Sequence, residues 1–329
     1  MSEAYENLRP LLFSIAYRML GSVTEAEDIV QEAFLRYQRA LAEQETEIAS
    51  PRAYLSAATT RLAIDHLRSA RARREQYVGE WLPEPVPTEE TDLDGARYVE
   101  EADSLSMAFL LVLERLSPVE RAVFLLHDLF DYGYDEIARI VGKSEDNCRQ
   151  LATRARRHVK EEKPRFEASR RERDELAARF FDALGEGDLD SLIELLAADA
   201  AIYSDGGGKA PALPRPLFGR ERVVRLLAAF AEGWRELDFR IRRTEINGQP
   251  GMMLFDRADL LVAAWTLEIA DGLVQTIRSV TSPEKLRHLG PPADARALVR
   301  EFRKRQARHG TSPSHRLGRV ALPRSPVPC

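Results

Sequence analysis

Apolar residues recur at three- and four-residue steps through the first half of the chain and predict a run of amphipathic helices. Leu8, Leu11, Leu12, Ile15, Ala16 and Met19 form one stripe, which stops at Gly21. Ser22 or Thr24 can cap the next helix, whose first turn carries Glu25, Glu27 and Asp28, a favourable charge at a helix N-terminus. Its buried stripe is Ile29, Val30, Ala33, Phe34 and Tyr37, and Asp28, Gln31, Glu32 and Arg36 stay outside, serving either solubility or protein docking. A third helix opens at Pro51, runs to Ala70, packs Tyr54, Leu55, Ala58, Leu62 and Leu67 inward and ends in the basic run SARARRE.

The stretch from Tyr134 to Lys160 predicts a helix-turn-helix. Ile137, Ala138 and Val141 share one face of a short helix, Gly142 supplies the left-handed residue of a tight turn, and Ser144 can cap the second helix. In that second helix Cys148, Ala152, Ala155 and Val159 face inward, leaving Asn147, Gln150, Arg154 and Arg157 on an open face. Arg can hold guanine, and Asn or Gln adenine, by paired hydrogen bonds, while a helix N-terminus at Lys143 and Ser144 favours a phosphate. A solvated basic helix is the plainer alternative. Between the two helical regions, residues 76–102 combine the prolines of WLPEPVP with Glu80, Glu84, Glu89, Glu90, Asp92 and Asp94, which predicts an extended or disordered spacer. Trp81 beside Leu82 is an unusual choice for a solvated spacer, so its ring is expected to dock on a surface.

Beyond Pro164 the pattern changes. RERDELAARFFDALGEGDLDSLIELLA predicts two helices and AAIYSD a strand; a helix over 219–233 and four strand-like runs come next, with Asn247-Gly248 and Asp271-Gly272 as hairpin turns. Helices followed by an antiparallel sheet predict an α+β domain. ADARALVREFRKRQARHG then reads as one basic helix and the Pro-rich TSPSHRLGRVALPRSPVPC as disordered; a DNA-touching tail and a merely solubilising one both fit.

Composition narrows the partners. A net charge of -5 gives the 329-residue chain no global attraction to nucleic acid, so DNA contact must come from local basic clusters such as Arg61, Arg68, Arg71, Arg73 and Arg74. Cys148 and Cys329 are the only cysteines, so neither a disulfide framework nor a metal site is expected, and a reducing cytoplasm fits. No apolar run reaches the roughly 18 residues of a membrane span, and no signal peptide is expected.

AEDIVQEAFLRY followed by PRAYLSAATTRLAIDHLRSARARRE resembles domain 2 of an extracytoplasmic-function sigma factor of the bacterial sigma-70 family. ERLSPVERAVFLLHDLFDYGYDEIARIVGKSEDNCRQLATRARRHV resembles domain 4 of that class, in the family's order. The resemblance implies a promoter-specific initiation factor without enzymatic activity or cofactor. It implies that Asp28, Gln31, Glu32 and Arg36 grip the beta-prime clamp of core RNA polymerase. Arg61, Asp65, Arg68, Arg71, Arg73 and Arg74 would capture the melted -10 element, with Ser69 to Arg74 as a loop; Asp65 could instead pair with Arg61 or Arg68. Lys143, Ser144, Asn147, Arg149, Gln150, Thr153, Arg154 and Arg157 would face the -35 element. Cys148 takes a usually apolar place and reads as packing.

The later half resembles the SnoaL-like branch of the nuclear transport factor fold, a cone of curved sheet and helices around a pocket. Trp81, Leu82, Pro83, Glu84 and Pro85 (WLPEP) and Asp205, Gly206, Gly207, Gly208 and Lys209 (DGGGK) match hallmarks of a sigma subgroup with this extension, and SPEKL at 282–286 resembles a third. The expected architecture is therefore multidomain: sigma domain 2 at 1–75, a linker at 76–102, sigma domain 4 at 103–165, an α+β cone at 170–290 and a tail at 291–329. DGGGK lacks Walker spacing, so its glycines are expected to let the loop pass close to another surface rather than bind nucleotide. The resemblance implies intramolecular regulation by the third domain. Two alternatives for the cone are a small-ligand sensor and an enzyme using Tyr203, Asp205, Trp234, Asp256, Trp265 or Glu268.

Overall fold

The computed structural model describes residues 3–43, 48–74, 77–88, 104–162 and 170–308. The chain divides into two compact units, residues 1–76 with 104–164 and residues 77–103 with 165–329.

In the first unit, α1 (Glu3–Leu20), α2 (Val23–Glu43) and α3 (Pro51–Arg74) pack together over the predicted stripes. Leu12, Ile15, Ala16 and Met19 are sealed against Ile29, Val30, Ala33, Phe34 and Tyr37, the periodicity that drove the helices into contact. Ser22 Oγ accepts from the Glu25 amide at 3.2 Å, so Ser22 rather than Thr24 caps α2. One expectation is corrected: Ser69 to Arg74 is not a loop but the last turn of α3. ARARR contains no glycine or proline and consists of strong helix formers, so nothing stops the helix at Ala70.

Among the described residues the unit continues with α4 (Met107–Glu114), α5 (Pro118–Asp128), α6 (Tyr134–Val141) and α7 (Glu145–Glu162). Ser117 and Glu120 form a reciprocal capping box at the start of α5. Gly142, at φ 66°, ends α6, and Ser144 Oγ accepts from the Asn147 amide at 3.3 Å to start α7. Cys148, Ala152, Ala155 and Val159 are buried. Arg156 forks onto Asp128, with Nε 2.8 Å from Oδ2, which pins α7 to α5.

The two helical groups of this unit are joined by polar contacts. The Tyr132 hydroxyl donates to Ser56 Oγ at 2.7 Å, Arg18 Nη2 to Ser104 Oγ at 3.0 Å, and the Arg121 guanidinium to the Met19 carbonyl.

The second unit opens with α8 (Arg170–Glu186) and α9 (Leu189–Leu195), then β1 (Leu196–Asp205), β2 (Leu217–Phe218) and α10 (Arg220–Glu236). A meander comes next, β3 (Arg240–Ile246), β4 (Gln249–Phe255), β5 (Leu261–Ala270) and β6 (Leu273–Val280), then α11 (Pro283–Leu286) and α12 (Ala295–Arg308). The sheet order is β2-β1-β6-β5-β4-β3. An antiparallel sheet was expected, but β1 and β6 run parallel, so the sheet is mixed. Alternation along a strand reports which face is buried and is silent on the direction of a neighbour; α10 and the meander bring the chain back beside β1 in the same sense. Both predicted hairpin turns are present, with Asn247, Gly248, Asp271 and Gly272 at φ 54°, 67°, 53° and 69°.

Phe180, Phe181, Leu184, Val223, Leu227, Leu254, Trp265 and Leu267 form the core between helices and sheet. Phe230 and Trp234 stack at 6.2 Å between ring centres, and the Trp265 ring meets them edge-on at 5.7 and 5.2 Å. Residues 77–88 are extended, as their prolines require, and lie on this unit. Asn247 N donates to the Val86 carbonyl at 2.7 Å, Val86 N to Asn247 Oδ1 at 3.0 Å, and Thr88 N to the Glu245 carbonyl at 3.0 Å. Glu89, Glu90, Asp92, Asp94 and the tail beyond residue 308 lie outside the described residues.

Candidate functional site

The open face of α7 is built by elimination. Its inward positions are consumed by the core, so Asn147, Arg149, Gln150, Thr153, Arg154 and Arg157 point to solvent, with Lys143 and Ser144 exposed at the N-terminal end. Their states differ. Arg149 is held by Glu145 at 3.1 Å and Asp146 at 3.3 Å and lies 5.2 Å from the centre of the Tyr134 ring. The Thr153 hydroxyl donates back to the Arg149 carbonyl at 2.8 Å. Burial pushes the Cys148 thiol above its ordinary range, which favours the inert thiol and agrees with a packing role.

The basic end of α3 is less uniform than the sequence suggested. Arg61 does not stand free: its Nε donates to the Ile140 carbonyl at 2.9 Å and its Nη2 to the Arg139 carbonyl at 2.8 Å, satisfying the C-terminal end of α6. Asp65 pairs with Arg68 at 3.2 Å and both are exposed, an ordinary helix-surface ion pair. Arg71, Arg73 and Arg74 belong to the last turn of the helix. On α2, Asp28, Gln31 and Arg36 are exposed, Arg36 Nε donates to Glu32 at 2.8 Å, and Leu35 adds an apolar patch, 41% exposed, beside them.

A second site joins the linker to the cone. Asp205 ends β1 with its side chain fully buried and receives four donors. The Tyr77 hydroxyl and the Gly207 amide reach Oδ1 at 2.7 and 2.9 Å; the Leu82 amide and Lys285 Nζ reach Oδ2 at 2.8 and 2.7 Å. Lys285 also donates to the Leu82 carbonyl and sits 4.4 Å from the Trp81 ring centre and 5.0 Å from that of Tyr77. The expected docking of Trp81 is thus met by a lysine of the same chain. Burial and the Asp205 charge hold the Tyr77 phenol far above its ordinary range, so it stays protonated and keeps its donor to Asp205. His288 Nε2 faces the Pro85 carbonyl at 2.8 Å, which assigns that nitrogen a proton. Leu82, Pro83, Glu84 and Pro85 are all buried.

The glycines of DGGGK make this closeness sterically feasible. A side chain on Gly206 would start 2.3 Å from the Ala210 carbonyl oxygen, and one on Gly207, at φ 58°, 2.6 Å from Ser282 Oγ. Lys209 pairs outside with Glu284. Sequence reasoning missed Tyr77, Lys285 and His288 as members of the site. The legible signal was SPEKL, whose lysine is the cation a buried Asp205 requires.

The nominal acid and base candidates do not converge. Trp234 and Trp265 belong to the aromatic core, Asp205 is saturated, and Asp256 Oδ1 accepts the Ala258 and Leu260 amides at 2.9 Å to close a turn. Glu268 is ion-paired with Arg278, whose guanidinium lies 5.4 Å from the Tyr203 ring centre; its desolvation lowers the Arg278 pKa to about 10. Register pairs Glu268 with Thr276, on strand positions alternate to the core residues Leu267 and Ile269, so this cluster lies on the opposite sheet face from the two tryptophans. Among the described residues there is no cluster of metal-binding side chains and no helix long and apolar enough to cross a membrane.

A helical bundle, a helix-turn-helix with an exposed basic face, and a cone that holds the intervening linker are the parts of a sigma factor with a fused SnoaL-like domain. Family models agree: Sigma-70 region 2 matches residues 4–73, Sigma-70 region 4 residues 106–159, and the SnoaL-like domain residues 177–282. The chain belongs to the ECF sigma factors that carry a SnoaL-like domain. It is 37% identical over 291 residues to ECF RNA polymerase sigma factor SigJ of Mycobacterium tuberculosis, covering 85% of this chain and 91% of that protein. To the probable ECF RNA polymerase sigma factor SigI of the same organism it is 32% identical, covering 87% and 94%. The crystal structure of M. tuberculosis SigJ superposes with a TM-score of 0.68 at 33% identity, over 88% of this chain and 99% of that one.

Proposed function

We propose that this protein binds core RNA polymerase in the cytoplasm and directs promoter-specific initiation, with the cone regulating that activity through the linker. The exposed face of α7 carries the reading. Its inward side is spent on packing, so the exposed Asn147, Gln150, Arg154 and Arg157 suit base edges and phosphates of a -35 element. Lys143, Ser144, Arg149 and Thr153 contribute at its edges, Arg149 after exchanging its carboxylate partners for DNA. Asp28, Gln31, Glu32 and Arg36 form the surface for the polymerase clamp.

Capture of the -10 element by the end of α3, with Arg68, Arg71, Arg73 and Arg74 beside Arg61 and Asp65, requires Arg61 to leave the α6 carbonyls. Promoter engagement therefore begins by parting the two helical groups of the first unit. Regulation rests on the linker, where WLPEP is fastened by Asp205, Lys285 and His288 and backed by the DGGGK loop. The test is reconstitution with core polymerase: core-dependent initiation at defined start sites is expected, and Asp205→Asn should change its extent. Tight operator binding by the free protein without core-dependent initiation would replace the sigma reading with that of a plain repressor.

A further inference from the structure

The C-terminal helix α12 bears a charge that the promoter-reading elements do not account for. Between Ala295 and Arg308 it carries Arg296, Arg300, Arg303, Lys304, Arg305 and Arg308 against Glu301, in a chain whose net charge is -5. The helix is fixed rather than dangling. Leu298 packs against the cone's core, and the space beside Gly233 is bounded by the Phe302 ring at 3.7 Å. Arg305 donates to the Glu236 carbonyl at 2.5 Å and to Glu301 at 2.6 Å, and Asp294 caps the start by accepting the Ala297 amide at 2.9 Å. Those contacts settle which side looks out.

Arg296, Arg300, Arg303 and Lys304 are exposed at helical spacings of four, three and one, forming a single stripe. At about 1.5 Å per residue the stripe is about 12 Å long. Phosphates along one strand of a duplex lie about 3.4 Å apart along the axis, so the stripe can meet several of them. Arg296 is committed to the Gly208 carbonyl at 2.6 Å, and Arg300 lies 3.7 Å from Asp294. Among the described residues, Arg303 and Lys304 have no carboxylate within ion-pair distance. Leu298 and Phe302 face the body, so the outward side offers no apolar anchor for a protein, whereas a row of exposed cations suits a polyanion.

We propose that α12 is a sequence-independent binding surface for the phosphate backbone of duplex DNA, used alongside the promoter readers, and that this role rests on the sigma reading. Its cations raise the affinity for any duplex and release counterions, without contributing to base selection.

The test is fluorescence anisotropy of the full chain on a duplex of scrambled sequence between 50 and 200 mM salt. The Arg300→Ala/Arg303→Ala/Lys304→Ala variant should flatten the slope of log K against log salt by about 2.7, so that wild type loses about 40-fold more affinity over that range. Arg300→Lys/Arg303→Lys should retain the wild-type slope, because charge and not side-chain shape is at work. An unchanged slope in the alanine variant overturns the proposal. So does a wild-type slope that steepens only when Glu89, Glu90, Asp92 and Asp94 are neutralised to amides, since that outcome assigns the helix to the chain's own acidic segment. Core-dependent transcription of genomic fragments by wild type tests the sigma reading separately. Initiation beside an unchanged slope removes only the helix's role; absent initiation beside a flattened slope removes the sigma reading.

Discussion

The cone and helix α7 both hold carboxylates against cations, with opposite physical consequences. Around Asp205 the charges are buried, each oxygen has two donors, and two aromatic rings face Lys285. Around Arg149 the pairs with Glu145 and Asp146 are exposed. Solvent screens the second set, so Arg149 can exchange its partners at little cost, as the proposed DNA role requires. The first cannot be traded piecemeal, because removing one member strands another charge in a dry site. The two kinds of ion pair thus differ in how easily a partner can be exchanged, and under the proposed function the exchangeable kind lies on α7 and the fixed kind at the linker.

The contrast can be broken first at its stronger end. Asp205→Ala leaves Lys285 buried without its counter-charge and should destabilise the C-terminal unit by about 3 to 5 kcal/mol, seen as a lowered thermal transition and as protease cleavage within residues 77–88. A variant that melts like wild type would mean that the linker's place does not depend on the clamp. Gly206→Ala drives a methyl group onto a backbone oxygen and should cost about 1 to 3 kcal/mol, with the same linker becoming protease-sensitive; Gly272→Ala, whose turn has open space, should leave the linker protected.

Arg154→Ala should weaken promoter recognition by about 1 to 3 kcal/mol while core binding and thermal stability stay as they were. Loss of core binding instead would make α7 a structural helix. The smallest effect belongs to Arg149→Ala measured without DNA, where the exposed pairs contribute only about 0.2 to 1 kcal/mol; a larger drop in stability would show that these pairs are not exchangeable.

The helices and the exposed face of α7 were legible because their signals are local. Cys148, Ala152, Ala155 and Val159 repeat at helical spacing, and Gly142 and Ser144 mark a turn and a cap that depend on a few neighbours only. The Asn-Gly and Asp-Gly hairpins were legible for the same reason, since φ above zero is a property of two residues. Arg61 was not, because its partners are carbonyls of α6, 78 and 79 residues away, and a carbonyl leaves no mark in the sequence. Lys285 lies 80 residues from Asp205, and Trp81 meets it only after the linker has been laid across the sheet. Long-range pairing of charges is set by topology, which a hydrophobic pattern does not encode.

That topology turns on strand direction. Because β1 and β6 are parallel, with Asp205 opposite Val280, both strands end on the same rim of the sheet. The turn after β1 and the short helix after β6 therefore emerge as neighbours. Were β1 reversed in the same place, Asp205 would lie at the far rim, about a strand length or 25 Å from Lys285, beyond the reach of any side chain. The fastening of the linker is thus an outcome of chain handling as much as of side-chain chemistry. A circular permutant that keeps the two strands codirectional should keep its linker fastened, wherever the new ends fall.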